Sequence, residues 1–264
     1  MIFNFLKNFK YKLLFAVSVI AVGIVLAIVF VENKISQKTL SNIVVNIQNQ
    51  YENYFIDERE VLRLLSNDDR ELLIHRHYDS INLKKLEQRI LAHNFVQNAQ
   101  VSKDLKGNLI VDIEQCKPIG RLIPSDGEGA YISEYGELLA TSEKFTSRVM
   151  IIDGSFTRKM MSPDFFNTDE GMAYFQLLSF INHDSFWKAF VAQFTIDSYG
   201  DITLTPQIGS EEIEFGTPEN FEHKLEKLKL FYKKVIPVKG WNTYKSIKLK
   251  FKNQIVCEKN IASI

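Results

Sequence analysis

Few residues in this chain are arranged for covalent or metal chemistry. The nearest approach to a ligand set is His75-x-His77 beside Asp79. It offers zinc-type donors without a third or fourth ligand at a recognisable spacing, so it reads as a solvated loop. Serines and aspartates are plentiful, yet no Gly-x-Ser-x-Gly elbow and no glycine-rich phosphate loop occurs. His93, His183 and His223 fall on helices or their ends and read as surface or capping residues. Cys116 and Cys257 could pair in an oxidising compartment but are too few for a disulfide framework, and both are expected as unpaired strand residues. The chain is expected to have no active site, cofactor, metal or small-molecule substrate.

Backbone pairing with a partner is the chemistry that the end of the chain offers. Ile247, Leu249 and Phe251 alternate with Lys248, Lys250 and Lys252, and Gln254 to Lys259 can return as a final strand. A chain that ends this way leaves a row of N–H and C=O groups able to receive another strand. From Glu222 to Lys252 there are ten lysines against two glutamates, which makes this end attractive to an acidic partner. Lysines on an edge strand also serve to prevent pairing, and residue pattern by itself favours that protective role.

The elements that would position this edge begin with an apolar run. Leu13 to Val31, LLFAVSVIAVGIVLAIVFV, carries no charge, and its roughly 19 residues would span about 28 Å as a helix, close to a bilayer's hydrocarbon thickness. Lys7, Lys10 and Lys12 precede it and Glu32 follows, which places the N-terminus in the cytoplasm and the remainder outside. A cleaved signal peptide would show a shorter apolar core and a small-residue cleavage site, and a buried soluble helix would show a polar face. Residues 1–12 are then a cytoplasmic tail, 13–31 a transmembrane helix and 32–39 a spacer. The 32 basic and 32 acidic residues balance to a formal charge of zero, so nothing argues for nucleic acid.

Past the anchor, Ile43, Val45 and Ile47 give the period-two signature of a half-buried strand. Asp57 with Glu60 forms a capping box ahead of Val61, Leu62, Leu64 and Leu65. Asn82 caps a helix with Leu83, Leu86, Ile90 and Leu91 on one face, ended by Phe95-Val96. A hairpin turns at Gly107-Asn108, and Lys117-Pro118 closes the domain. Strands are expected at Arg121 to Ile123, Ala130 to Ser133, Leu138 to Thr141 and Val149 to Gly154. Thr168 caps a helix that buries Met172, Phe175, Leu177, Leu178 and Ile181. Phe190, Ala192, Phe194 and Ile196 alternate in the next strand, followed by Ile202 and Leu204, then Ile213 and Phe215. Thr217 with Pro218 opens a helix carrying Phe221, Leu225, Leu228, Tyr232 and Val235, which Pro237 stops.

The run INLKKLEQRILAHNFVQNAQVSKDLKGNLIVDIEQCKPIGRL resembles the POTRA domain of the FtsQ/DivIB cell-division proteins, as does the order β-α-α-β-β after a single anchor. YISEYGELL resembles the strand and turn that opens their β-domain, with Ser133 where the family commonly has Asp, and VMIIDG resembles its next strand. GTPENFEHKLEKLKLFYKKV and YKSIKLKFKNQIVCEK resemble the family's last helix and closing strands. The resemblance implies an α+β fold: a single N-terminal transmembrane helix, a βααββ POTRA domain over 40–116, then over 117–264 a mixed β-domain with two flanking helices. It further implies a non-enzymatic divisome scaffold in the inner membrane at the septum. Such a scaffold binds FtsB and FtsL through its C-terminal sheet edge and links early division proteins to septal peptidoglycan synthesis, with other divisome proteins meeting the POTRA domain. That reverses the protective reading of the lysines, and the expected partner residues are Lys250, Phe251, Asn253, Gln254, Ile255, Val256, Cys257 and Glu258. The other reading is a POTRA-containing export or assembly factor, although such proteins usually continue into a long β-barrel and only about 150 residues follow here.

Overall fold

The computed structural model describes residues 17–26, 39–50, 53–66, 73–74 and 76–260. Residues 17–26 are helical (α1), with apolar side chains such as Ile20 and Leu26 more than half exposed. Among the described residues no helix is long and apolar enough to cross a membrane. The expected span 13–31 runs beyond the described residues on both sides, and the tail 1–12 and nearly all of the spacer 32–39 lie outside them. The chain is α+β and divides into two compact units, Met1–Asn49 with Ile56–Gln115, and Gln50–Phe55 with Cys116–Ile264.

The first unit is built from β1 (Asn42–Gln48), α2 (Glu58–Ser66), a 3-10 turn at Tyr78–Ser80, α3 (Leu83–Leu91), β2 (Val96–Lys103) and β3 (Asn108–Gln115). The order across its sheet is β1-β3-β2, with β1 parallel and β2 antiparallel to β3. Local chemistry starts each helix: Asp57 Oδ1 accepts from the Glu60 amide at 2.8 Å, and Asn82 Oδ1 accepts from the Lys85 amide at 3.1 Å. At the hairpin the Asp104 carboxylate accepts from the amides of Lys106 and Asn108, and these bonds, Asn108's first, hold its carboxyl below the usual range. Leu109, Val111 and Ile113 of β3 are wholly buried against Val61, Leu65, Leu86 and Ile90. Leu91, expected on that face, is 44% exposed, because one residue past Ile90 rotates the side chain by about 100°. Val96 belongs to β2 rather than to a helix end.

Among the described residues the second unit holds nine strands. They are β4 (Pro118–Leu122), β5 (Ala130–Ser133), β6 (Leu138–Ala140), β7 (Met150–Asp153), β8 (Val191–Ile196), β9 (Ile202–Pro206), β10 (Glu212–Gly216), β11 (Tyr244–Lys248) and β12 (Val256–Lys259). They form one sheet in the order β12-β11-β10-β9-β8-β7-β4-β5-β6. Register threads one buried row across seven of them: Leu122, Ile152, Phe194, Leu204, Ile213, Ile247 and Cys257. The neighbouring row is polar, with Asp153, Thr195, Thr203, Glu214 and Lys248 in sequence across the strands. Near β5, Phe55 packs edge-on against Tyr131 and Phe145 and is 2% exposed.

Among the described residues five helices accompany this sheet where two were expected: α4 (Thr157–Met160), α5 (Asp169–His183), α6 (Ser185–Phe190), α7 (Phe221–Lys234) and α8 (Ile236–Lys239). On α5 the Thr168 cap is present, but the buried side chains are Tyr174, Leu177, Leu178 and Ile181, and Met172 is 41% exposed. The face is centred on Tyr174, whose hydroxyl donates to the Gly200 carbonyl at 2.7 Å and whose phenol burial pushes up to about 12. Phe190 closes α6, which Asp184 caps by accepting from the Phe186 and Trp187 amides, so it is not a strand residue. A bulge between Val191 and Gln193 then makes Val191, Phe194 and Ile196 the buried set and leaves Ala192 half-buried. Helix α7 starts at Phe221 after Asn220 in the left-handed conformation (φ 52°), four residues beyond Thr217. Pro237 occupies the first turn of α8, where a missing N–H costs nothing, and does not end a helix there.

One glycine tests how tightly this sheet is closed. Gly154, just after β7, has φ +99°, and a Cβ there would stand 2.1 Å from the Ile196 carbonyl oxygen, a backbone atom that cannot swing away. Gly154→Ala is expected to destabilise by at least about 2 kcal/mol, read as a lower urea midpoint by circular dichroism. A midpoint unchanged within error would contradict this packing.

Candidate functional site

The end of the sheet is made by β11 and β12. β11 pairs parallel with β10, matching Ile213 with Ile247 and Glu214 with Lys248, and Lys248 Nζ meets Glu214 Oε1 at 3.0 Å. β12 returns antiparallel, placing Val256 opposite Lys248, Cys257 opposite Ile247 and Glu258 opposite Ser246, with a bulge between Tyr244 and Ser246. Cys257 therefore faces the core row, while Val256 and Glu258 face the polar side. The Asn260 amide donates to the Thr243 carbonyl at 2.9 Å. Alternation from that point turns the amides of Glu258 and Val256 towards β11 and those of Cys257 and Lys259 off the edge. β12 has no second strand neighbour among the described residues.

Between β11 and β12 the chain turns at residues 251–253. Leu249 is the last core residue, its amide bonded to the Glu214 carbonyl at 2.9 Å. Phe251, expected to continue the apolar face, is 46% exposed in the turn, because the strand ends at Lys248 and the alternation ends with it. Lys250, Phe251 and Asn253 line one pocket of about 550 Å³, together with His223, Lys224 and Lys227 of α7. Gln254 is exposed and Ile255 packs partly on the core.

The lysines around this pocket are largely committed within the chain. Lys227 Nζ donates to the Phe251 carbonyl at 2.8 Å and clamps the turn, and Lys224 Nζ donates to the Thr217 carbonyl at 2.8 Å, 5.0 Å above the Phe215 ring. Desolvation lowers both ammonium pKa values. Lys250 Nζ lies 2.6 Å from Asp201 Oδ2, and that hydrogen bond raises its pKa. Of the partner residues expected from sequence, Lys250 therefore stabilises the β9 side of its own sheet. Lys227 was not foreseen, since its partner is a backbone carbonyl 24 residues away, which no spacing rule encodes.

Glu211 also escapes sequence reading. It is 3% exposed and accepts from the Tyr232 hydroxyl and, at 3.0 Å, from the Ser210 amide. Burial first, then this bond to Glu211, pushes the Tyr232 phenol far up. Among the described residues no group of three His, Cys, Asp or Glu side chains is placed to hold a metal, and His77 precedes a 3-10 turn while His75 lies outside the described residues.

The family model described as FtsQ/DivIB, C-terminal related, matches residues 117–258, more than half of the chain. The chain belongs to the FtsQ/DivIB family. A POTRA-like domain model matches residues 39–114. No curated protein matches the chain. The FtsQ/DivIB match ends inside β12, so the free edge is part of the family's own domain and not an appendage to it.

The two cysteines report on this geometry. Neither is in a disulfide; Cys116 is buried and Cys257 half-buried. Burial raises both pKa values, Cys116 to about 11 with help from nearby Glu137. Both thiols thus stay protonated at neutral pH, and each thiolate fraction grows only as pH passes its raised value. Iodoacetamide at pH 8 should alkylate Cys257 several-fold more slowly than a free thiol, with the rate rising beyond pH 9, and Cys116 should lag further. Mass spectrometry of the alkylated chain reads both rates, and Cys116 reacting first would contradict the arrangement.

Proposed function

We propose that this FtsQ/DivIB-family protein is a cell-division scaffold that binds and does not turn over a substrate. It receives an extended segment of an FtsB-like partner, with FtsL alongside, on the edge of β12. The carrying observation is that β12 ends the sheet with the amides of Cys257 and Lys259 directed outwards. Main-chain pairing there supplies affinity, while Val256, Glu258 and the exposed Phe251 on the flanking turn give side-chain selectivity. Lys250, Asn253, Gln254 and Ile255 complete the strip as turn and approach residues. Lys224 and Lys227, bonded to neutral carbonyls, keep an uncompensated positive charge that steers an acidic partner to this edge.

In this reading residues 13–31 anchor the chain once in the inner membrane, residues 1–12 are cytoplasmic and the bulk is periplasmic. Residues 40–116 form the POTRA domain and 117–264 the β-domain, and the scaffold couples early division proteins to septal peptidoglycan synthesis. The absence of a pairing strand on β12 within the described chain favours this over a protective role for the lysines, since Lys248 and Lys250 are engaged with Glu214 and Asp201.

The test is binding of the full chain in detergent to the periplasmic part of its FtsB-like neighbour, with Cys257→Pro and Cys257→Ser compared. Proline removes an outward amide and should weaken binding at least tenfold, whereas serine keeps the amide and should bind nearly as wild type. Equal binding by both variants would remove the edge from the reading, and no binding by the wild type would remove the partner.

A further inference from the structure

The first unit carries a second open strand edge. Its sheet ends on β2 at one side and β1 at the other. The β2 edge is guarded: Glu87 Oε1 accepts from the Val101 amide at 2.9 Å, and the strand ends on a charged residue, Lys103, whose ammonium lies on the carbonyls of Tyr78 and Ile81 outside the strand. β1 has none of the usual guards. Over its seven residues, NIVVNIQ, it holds no charge and no proline, and its register with β3 is unbroken from Asn42 to Gln48. Among the described residues it pairs with β3 alone.

Its apolar row is also incompletely covered. Ile43, Val45 and Ile47 are only half-buried, whereas Leu109, Val111 and Ile113 of the adjacent strand are 0% exposed. The core on this side is one strand short. We propose that a second copy of this chain supplies that strand, β1 pairing antiparallel with β1 about a two-fold axis at Val45.

The sequence of β1 is what selects a copy over another occupant. Antiparallel pairing centred on Val45 puts Val45 opposite itself, Ile43 opposite Ile47 and Asn42 opposite Gln48. The inner row stays apolar throughout, Val44 meets Asn46 on the other face, side-chain amides meet at the ends, and no charge meets a like charge. An isologous contact requires that the same patch be its own complement, and this strand meets that condition. Two three-stranded sheets become one of six. The surface belongs to the unit that does not contain β12, so this inference stands apart from the proposed partner edge.

Cross-linking of the full chain in membranes tests it, with Cys116 and Cys257 replaced by alanine. Val45, whose backbone groups face β3, meets its copy in a non-hydrogen-bonded pair with Cβ atoms about 4.5 Å apart, so Val45→Cys is within disulfide reach, whereas Val44→Cys meets its copy only on the diagonal, beyond it. Mild oxidation should give at least tenfold more disulfide dimer from Val45→Cys than from Val44→Cys. Ile43→Cys and Ile47→Cys should cross-link only when the two variants are co-expressed. Val44→Lys, with both native cysteines in place, should shift the chain from dimer to monomer by sedimentation in detergent while circular dichroism is unchanged. Equal cross-linking at 44 and 45, adducts of a mass other than two chains, or a monomeric wild type at micromolar concentration would each overturn the proposal.

Discussion

The second unit depends on burial of one continuous row of side chains that crosses seven strands. From Leu122 through Ile152, Phe194, Leu204, Ile213 and Ile247 every member is at most 1% exposed. Each contributes about 1.5–3 kcal/mol by leaving water, and together they fix register, because a one-residue slip in any strand would turn its apolar set outwards. The bulges at Val191 and Tyr244 are tolerated because each returns the strand to this row. The polar neighbour row, with Gln193 bonded to Asp153 and Lys248 to Glu214, shows the price of a slip: charged groups would have to enter the core.

The row also explains why the proposed partner edge falls at its end. Cys257 is its last member and is only half-buried, since no further strand pairs with β12 among the described residues. A sheet that must stop somewhere leaves backbone groups unsatisfied by protein, and those groups are the resource a partner strand uses. The turn that delivers β12 is held by Lys227, so the edge is presented by a fixed element rather than a loose tail. Binding of this kind asks little of side-chain chemistry, which agrees with a chain poor in catalytic constellations.

The first unit poses the same problem on a smaller scale and answers it differently at its two edges. Glu87 saturates the Val101 amide of β2, and the strand ends on the charged Lys103, both of which discourage pairing at that edge. β1 carries no charge, and the Gln48 carbonyl at its end accepts from Gln115 Nε2 at 3.3 Å. The contrast lies in tertiary contacts: Glu87 sits on α3 and reaches β2 across 14 residues of sequence.

Local patterns in the sequence determined a good deal. The caps at Asp57, Asn82 and Thr168, the Gly107 hairpin and the alternation of Ile213 and Phe215 were all legible, because each depends on residues within a few positions of one another. So was the C-terminal pair of strands, and with it an edge. Tertiary structure alone decided the start of α7 at Phe221, the one-residue offset of the first half of α5 towards Tyr174 and the exposure of Phe251. In each case several starts or faces have similar local energies, and long-range packing chooses among them. It alone also assigned the lysines: composition showed an excess of positive charge, but only the fold revealed that Lys227, Lys248 and Lys250 are held by groups brought near from elsewhere in the chain. Charge is a property of the sequence, whereas its availability depends on which opposite groups folding sets beside it.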